Sequence, residues 1–238
     1  MSKLAGGGWG GFEKLAEALL PHLGLPVSGV TMLGVTMPGD APSKAREDGA
    51  HDLAHLRRVW MNAFTIARQE GGADALLAAS VLLHDCVAVE KNSPLRAQAS
   101  RLAAAQARTI LAGLGWDDHD IAQVAHAIEA HSFSAEIAPK TLHARVLQDA
   151  DRLDAIGMIG VARCFYTAGR MGSSLYHAGD PQAQSRPLDD AAYALDHFRA
   201  KLLKLQGGFQ TTTGAAMAAD RTRMMAAFVA DFEAEIGA

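Results

Sequence analysis

Along most of the chain apolar residues recur every three or four positions, the period of a helix with one buried face. Alanine and leucine dominate these stretches and β-branched runs are scarce, so residue propensity agrees with the period. The spacing predicts helices over about 50–70, 73–86, 95–113, 118–131, 140–156, 157–169, 188–206 and 212–236. Punctuation supports the boundaries. Gly71-Gly72 separates the first two, Asn92-Ser93-Pro94 opens the third and Gly113-Leu114-Gly115 closes it. Trp116-Asp117-Asp118 then supplies cap residues, and Ser132 to Pro139 interrupts before the next helix. The expected fold class is all-α.

The first 46 residues read differently. Gly6 to Gly11 is a flexible composition, Phe12 to Leu20 has the pattern of one helix, and Pro26 to Pro42 lacks a helical period. Within it Val27 to Met37 has an extended character. A second loop-like connection, Gly169 to Pro187, carries Tyr176 and His177; long loops of this kind serve as lids or are merely mobile. The expected organisation is an N-terminal helix with an irregular extension over 1–46 and one domain over 47–238. That domain has a core at 47–170 and C-terminal helices at 188–236.

The apolar run Ala78-Ala79-Ser80-Val81-Leu82-Leu83 ends on His84-Asp85. A charged pair in such a stretch is costly to bury without compensation, and a metal cation compensates an adjacent histidine and carboxylate. Neighbouring helical residues point about 100° apart, so both reach an ion placed between them. By spacing, His84 continues the stripe of Leu77 and Val81 and faces inward. His55 sits one turn before Val59 on a core stripe, with His51 one turn earlier on the same face. Asp151 continues from Leu147 and leads to Asp154. Taken singly, each has a bland account as a cap or a satisfied core hydrogen bond. Together they are a mixed nitrogen and oxygen donor set suited to a borderline or hard divalent ion.

The order His55, then His84-Asp85, then Asp151 resembles the ligand signature of the HD-domain superfamily of metal-dependent phosphohydrolases. The flanking residues sharpen the likeness: His55-Leu56-Arg57-Arg58-Val59, Leu82-Leu83-His84-Asp85 and Ala150-Asp151-Arg152-Leu153. Lys91-Asn92-Ser93-Pro94, His126 to Ser134 and Gln148 to Ala155 are similar to small stand-alone bacterial HD hydrolases, and the resemblance spans roughly residues 47 to 170. It implies an HD-domain helical bundle holding one divalent ion (Mn, Mg, Co, Ni, Fe or Zn) on His55, His84, Asp85 and Asp151. It also implies hydrolysis, by a metal-activated water, of a phosphate ester in a nucleotide or other small phosphorylated metabolite. Related binuclear members carry two added histidines between the doublet and the last aspartate. His131 matches one of these and no partner stands near 97–106, which favours one ion over two.

Other roles follow with their bland alternatives. The expected catalytic residues are Asp85, His131 and His51. His131 ends its helix, where it reaches the metal water as general acid or further ligand. His51 faces the same pocket as His55, or is a helix-start residue with no chemical role, and Asp52 beside it is a first-turn dipole partner. Lys91 is expected, with His51, to bind substrate, as a point charge for phosphate; otherwise it is a solvated loop lysine. His126 and His131, five apart, diverge on their helix, and His126 reads equally as a satisfied structural residue. Arg58 and Arg152 pair with carboxylates such as Asp149 or Asp154, Asp154 supports a ligand histidine by hydrogen bonding, and Gly157 and Gly160 permit close helix packing.

Composition limits the alternatives. Half of the 238 residues (49%) are hydrophobic and 20% charged, an ordinary globular balance with ample material for a core. A net charge of −4 gives no broad surface for nucleic acid or membrane, and no segment has the unbroken apolar length of a span. The N-terminus lacks a signal pattern, and Cys86 and Cys164 are too few for a disulfide framework, so the cytoplasm is the expected setting. Self-association into a homo-oligomer stays open. Two rivals remain: a metal-binding HD sensing module without turnover, and a non-phosphate metalloenzyme such as an iron oxygenase, which would want more histidines.

Overall fold

The structure, a computed structural model, describes residues 11–23, 31–32, 35–36, 53–87, 89, 95–132 and 135–238. Its residues group into two units, 1–148 and 149–238. The expected boundary at 46/47 lies outside the described residues.

In the first unit α1 (Glu13–Leu19) runs into a 3-10 turn over Leu20–Leu23, and α2 spans Leu53–Glu70. Next come α3 (Ala75–Leu83), α4 (Ala99–Gly113) after a 3-10 turn at Arg96–Gln98, and α5 (Asp118–His131). The unit ends within α6 (Leu142–Asp154). The central element is α3, packed by α1, α2, α4 and α5. Every residue from Leu77 to Leu83 is buried, which is why this helix is apolar all round rather than on one stripe. Asp74 starts it, its side chain accepting Leu77 N–H at 3.1 Å, and Asp117 starts α5 the same way on Asp120 N–H at 2.9 Å. The Phe12 ring meets Trp60 edge-on (6.1 Å) and Phe64 (5.5 Å), fastening the N-terminal segment onto α2. Gln148 Nε2 donates to Ala130 O at 2.7 Å, tying α6 to α5. The stretch expected to be extended contains two short antiparallel strands, β1 (Thr31–Met32) and β2 (Val35–Thr36).

The second unit holds the end of α6, α7 (Gly157–Met171), α8 (Ala194–Ala200), a 3-10 stretch at Leu202–Gly208 and α9 (Thr212–Glu235). Gly157, at φ +76°, turns the chain between α6 and α7, and a Cβ there would lie 3.1 Å from Arg221 Cγ. Phe165, Phe198, Phe228 and Phe232 cluster with ring centroids 5.8–5.9 Å apart and form the apolar centre between α7, α8 and α9.

The helix expected over 188–206 is not continuous: it begins only at Ala194 and gives way to the 3-10 stretch. Side chains compete for the backbone there. Asp189 Oδ1 accepts the N–H groups of Ala191 and Ala192, making a turn. The buried Asp196 carboxylate accepts Arg186 at 2.5 and 2.8 Å and Asp189 N–H at 2.8 Å, folding the preceding segment back. Burial alone would raise the Asp196 carboxyl, yet the Arg186 and Asp189 bonds hold it below its ordinary value. The loop after α7 is also tied down. Asp180 accepts Gln184 N–H, Ser185 N–H and the Ser185 hydroxyl, bonds that draw its carboxyl down to about 2. Tyr176 packs edge-on against Phe232.

Because α3 is buried on every side, Leu77→Ala is expected to lower unfolding free energy by about 2–5 kcal/mol, read from urea denaturation. A loss below about 1 kcal/mol would mean that α3 is not the packing centre.

Candidate metal centre

The last turn of α3 sets the site. The helix ends at Leu83; His84 keeps helical backbone angles (φ −58°, ψ −32°) as its cap residue. The doublet therefore stands just beyond the helix, whereas the period places it inside a helix over 73–86. The buried run carries His84 into the interior, 1% exposed, while the Asp85 side chain is 41% exposed. One residue is locked in the core and the next opens to solvent.

His84 Nδ1 lies 2.7 Å from Val81 O. A carbonyl only accepts, so the ring proton is on Nδ1 and the lone pair on Nε2. That Nε2 is buried, has no hydrogen-bond partner, and faces Asp85 Oδ2 at 3.6 Å. His131, the last residue of α5, repeats the device, with Nδ1 2.6 Å from Ile128 O and Nε2 3.9 Å from Asp85 Oδ1. Buried His55 on α2 presents Nε2 to Asp85 Oδ2 at 3.8 Å. The His55–His84 and His84–His131 ring centroids are 5.5 and 5.1 Å apart.

These separations exceed a hydrogen bond. They match ligand atoms around one ion, which at about 2.0–2.2 Å from it stand roughly 3–4 Å from each other. Donor atoms of His84, Asp85 and His131 all lie within 4.8 Å of one another. Imidazole nitrogens oriented by backbone carbonyls, with a carboxylate between them, fit a divalent metal.

Of the predicted residues, His55, His84, Asp85 and His131 come together in this unit. His51 and Lys91 lie outside the described residues, as does Asp52. Asp151 is half-buried on α6, in the part of that helix that belongs to the second unit. His126 serves the fold, since its Nε2 accepts Lys140 N–H at 3.0 Å and pins the segment after α5. Asp154 ion-pairs with Arg163 at 2.8 Å, a partner that spacing along α6 does not disclose, and Arg152 donates to Gly208 O. Arg58 is half-buried on α2.

Asp149 does more than the arginine pairing that its place in the sequence suggests. It is fully buried and accepts the N–H groups of Gln210 and Thr211 and the Thr211 hydroxyl. Burial raises its carboxyl above the ordinary value, against the pull of those bonds. The sequence signals only the helix start, with Thr211 after Gly207-Gly208 as its cap residue, and not the partner sixty-two positions away. Neither cysteine forms a disulfide: Cys86 is buried and donates its Sγ–H to Ala103 O at 3.4 Å, and burial pushes the Cys164 thiol up to about 11.

Residues 52–156 match the HD domain, a range that takes in all of His55, His84, Asp85, His131 and Asp151. The uncharacterized protein YpgQ of Bacillus subtilis strain 168 is 34% identical over 194 residues, covering 80% of this chain and 86% of YpgQ. The chain belongs to the HD-domain family. Two solved structures place this HD-domain protein among its relatives. Bacillus subtilis YpgQ in complex with ADP is 31% identical, with 80% of this chain and 92% of that one covered and a TM-score of 0.62. An HD-superfamily hydrolase from Bacillus thuringiensis is 30% identical, with 79% and 87% covered and a TM-score of 0.62. Among the described residues no helix is long and apolar enough to cross a membrane.

Manganese titration read by electron paramagnetic resonance tests the cluster. His84→Ala and Asp85→Ala are each expected to weaken Mn²⁺ binding at least about tenfold, and His126→Ala to leave it unchanged. Wild-type affinity in Asp85→Ala would remove that carboxylate from the ligand set.

Proposed function

We propose that this HD-domain protein is a metal-dependent phosphohydrolase acting on a phosphate ester of a nucleotide or other small phosphorylated metabolite. The observation that carries the reading is the half-exposed Asp85 carboxylate flanked by the Nε2 atoms of His55, His84 and His131 at 3.6–3.9 Å. Oriented donors that leave one side open to solvent are the catalytic rather than the structural arrangement of a metal site. The ADP held by YpgQ supports a phosphorylated ligand.

In this reading His55, His84, Asp85 and Asp151 hold one divalent ion. When bound, such an ion supplies Lewis-acid chemistry, polarising a phosphoryl oxygen and acidifying water. The protein's residues do the rest. His84 and His131 keep their Nδ1 protons on backbone carbonyls, so that only Nε2 points into the site. His131 Nε2 takes up a proton and delivers it to the leaving oxygen as general acid. Lys91 attracts the phosphate as a point charge, and His51, one turn before His55, contacts the substrate. Two thiols outside any disulfide suit a reducing compartment, and the cytoplasm is the proposed setting.

A screen of phosphorylated metabolites with Mn²⁺, Mg²⁺, Co²⁺ or Ni²⁺, reading phosphate release, tests the activity. Asp85→Ala is expected to abolish release, His131→Ala to lower kcat by roughly 10²–10⁴-fold, and Lys91→Ala mainly to raise KM. Release that persists in metal-free protein, or in Asp85→Ala, would contradict the mechanism.

A further inference from the structure

Asp151 stands among residues of α6 that the C-terminal part of the chain grips. Two positions before it, Asp149 accepts Gln210 N–H (2.8 Å) on one oxygen, and Thr211 N–H (2.8 Å) and the Thr211 hydroxyl (2.7 Å) on the other. The same hydroxyl accepts Gly214 N–H at 3.0 Å, so Thr211 starts α9 and docks Asp149 at once. Gly214 makes room for this: a Cβ there would fall 2.5 Å from Asp149 Oδ2. One position after Asp151, Arg152 donates to Gly208 O and lies 5.7 Å over the Phe209 ring. Arg221 of α9 then donates to Leu153 O, and Arg163 of α7 donates to Asp154 O at 3.1 Å. These two bonds hold the last carbonyls of α6, of which Leu153 O also accepts Ile156 N–H at 3.3 Å.

A fully buried carboxylate is a costly way to start a helix that Thr211 already caps. Its placement gives the reason. Residues 149 and 151 point about 200° apart around a helix, so the grip is on the face opposite Asp151. The grips on 152, 153 and 154 then fix the turn that follows, leaving that turn little freedom to rotate or slide.

We propose that the segment 207–221 is a clamp that sets the direction of the Asp151 carboxylate, with Asp149 and Thr211 as its positioning residues. The proposal rests on the reading of Asp151 as a metal ligand. The clamp lies beyond the residues that match the HD domain, which end at 156.

The test is Mn²⁺ affinity of the full chain, by electron paramagnetic resonance, with far-UV circular dichroism and urea midpoints measured alongside. Thr211→Val removes the hydroxyl and keeps the volume, Thr211→Ser keeps the hydroxyl, and Asp149→Asn replaces an acceptor with a donor. Phe198→Leu weakens the aromatic cluster of the same unit, and Asp151→Asn tests the ligand itself. The expected result is a rise of roughly 10–100-fold in the Mn²⁺ Kd of Thr211→Val and Asp149→Asn. Thr211→Ser should bind as wild type, and Phe198→Leu should lose stability but not affinity. A folded Thr211→Val with wild-type Kd, alongside a weakened Asp151→Asn, overturns the clamp and spares the ligand. Equal weakening in Phe198→Leu also overturns it, as general loss of stability. Wild-type Kd in Asp151→Asn overturns the ligand reading and the clamp with it. Should Asp149→Asn fail to fold, the Thr211 pair decides.

Discussion

At the end of α3 the buried His84 Nε2, which has no hydrogen-bond partner, faces the oxygen of a half-exposed carboxylate across 3.6 Å. Two electron-rich atoms in that relation repel unless a positive charge lies between them, and burial of the nitrogen leaves it no water to turn to. One proton could serve one histidine. Here three imidazoles surround the same carboxylate at nearly equal distances, too long for hydrogen bonds and of the size that ligands of one cation show. The rest of the unit maintains this conflict. The Val81 and Ile128 carbonyls hold the ring protons away from the site, and the buried run Leu77–Leu83 denies His84 the alternative of turning to water.

Much of this is legible in the amino-acid order because it is local. A run that is apolar from Leu76 to Leu83 apart from Ser80, broken by His84-Asp85, declares both a buried helix and a reason for its polar end. His55 follows from its stripe, and the divergence of His126 from His131 follows from a spacing of five. The helices of the first unit form close to where the period puts them. What is not legible depends on partners remote in sequence. The pairing of Asp154 with Arg163 is nine residues away and that of Asp149 with Thr211 sixty-two, and neither has a signature in the helical period. The 188–206 helix fails for a related reason: its amphipathic pattern is genuine from Ala194, but Asp189 and Asp196 offer the backbone and Arg186 stronger bonds than another helical turn would.

The two halves of α6 are held by different parts of the chain. Gln148 is tied to α5 through Ala130 O, whereas Asp149 is tied to the start of α9. The HD-domain match ends just past this helix, so the residues holding its last turn lie beyond the matched range and carry no metal donor of the proposed set.

The most direct measurement is a crystal structure of the protein soaked in Mn²⁺, with anomalous difference density located at the manganese edge. The expected result is one peak with His55 Nε2, His84 Nε2 and one oxygen each of Asp85 and Asp151 within about 2.0–2.5 Å. A peak ligated without Asp151, or no peak beside Asp85, would contradict the four-residue centre.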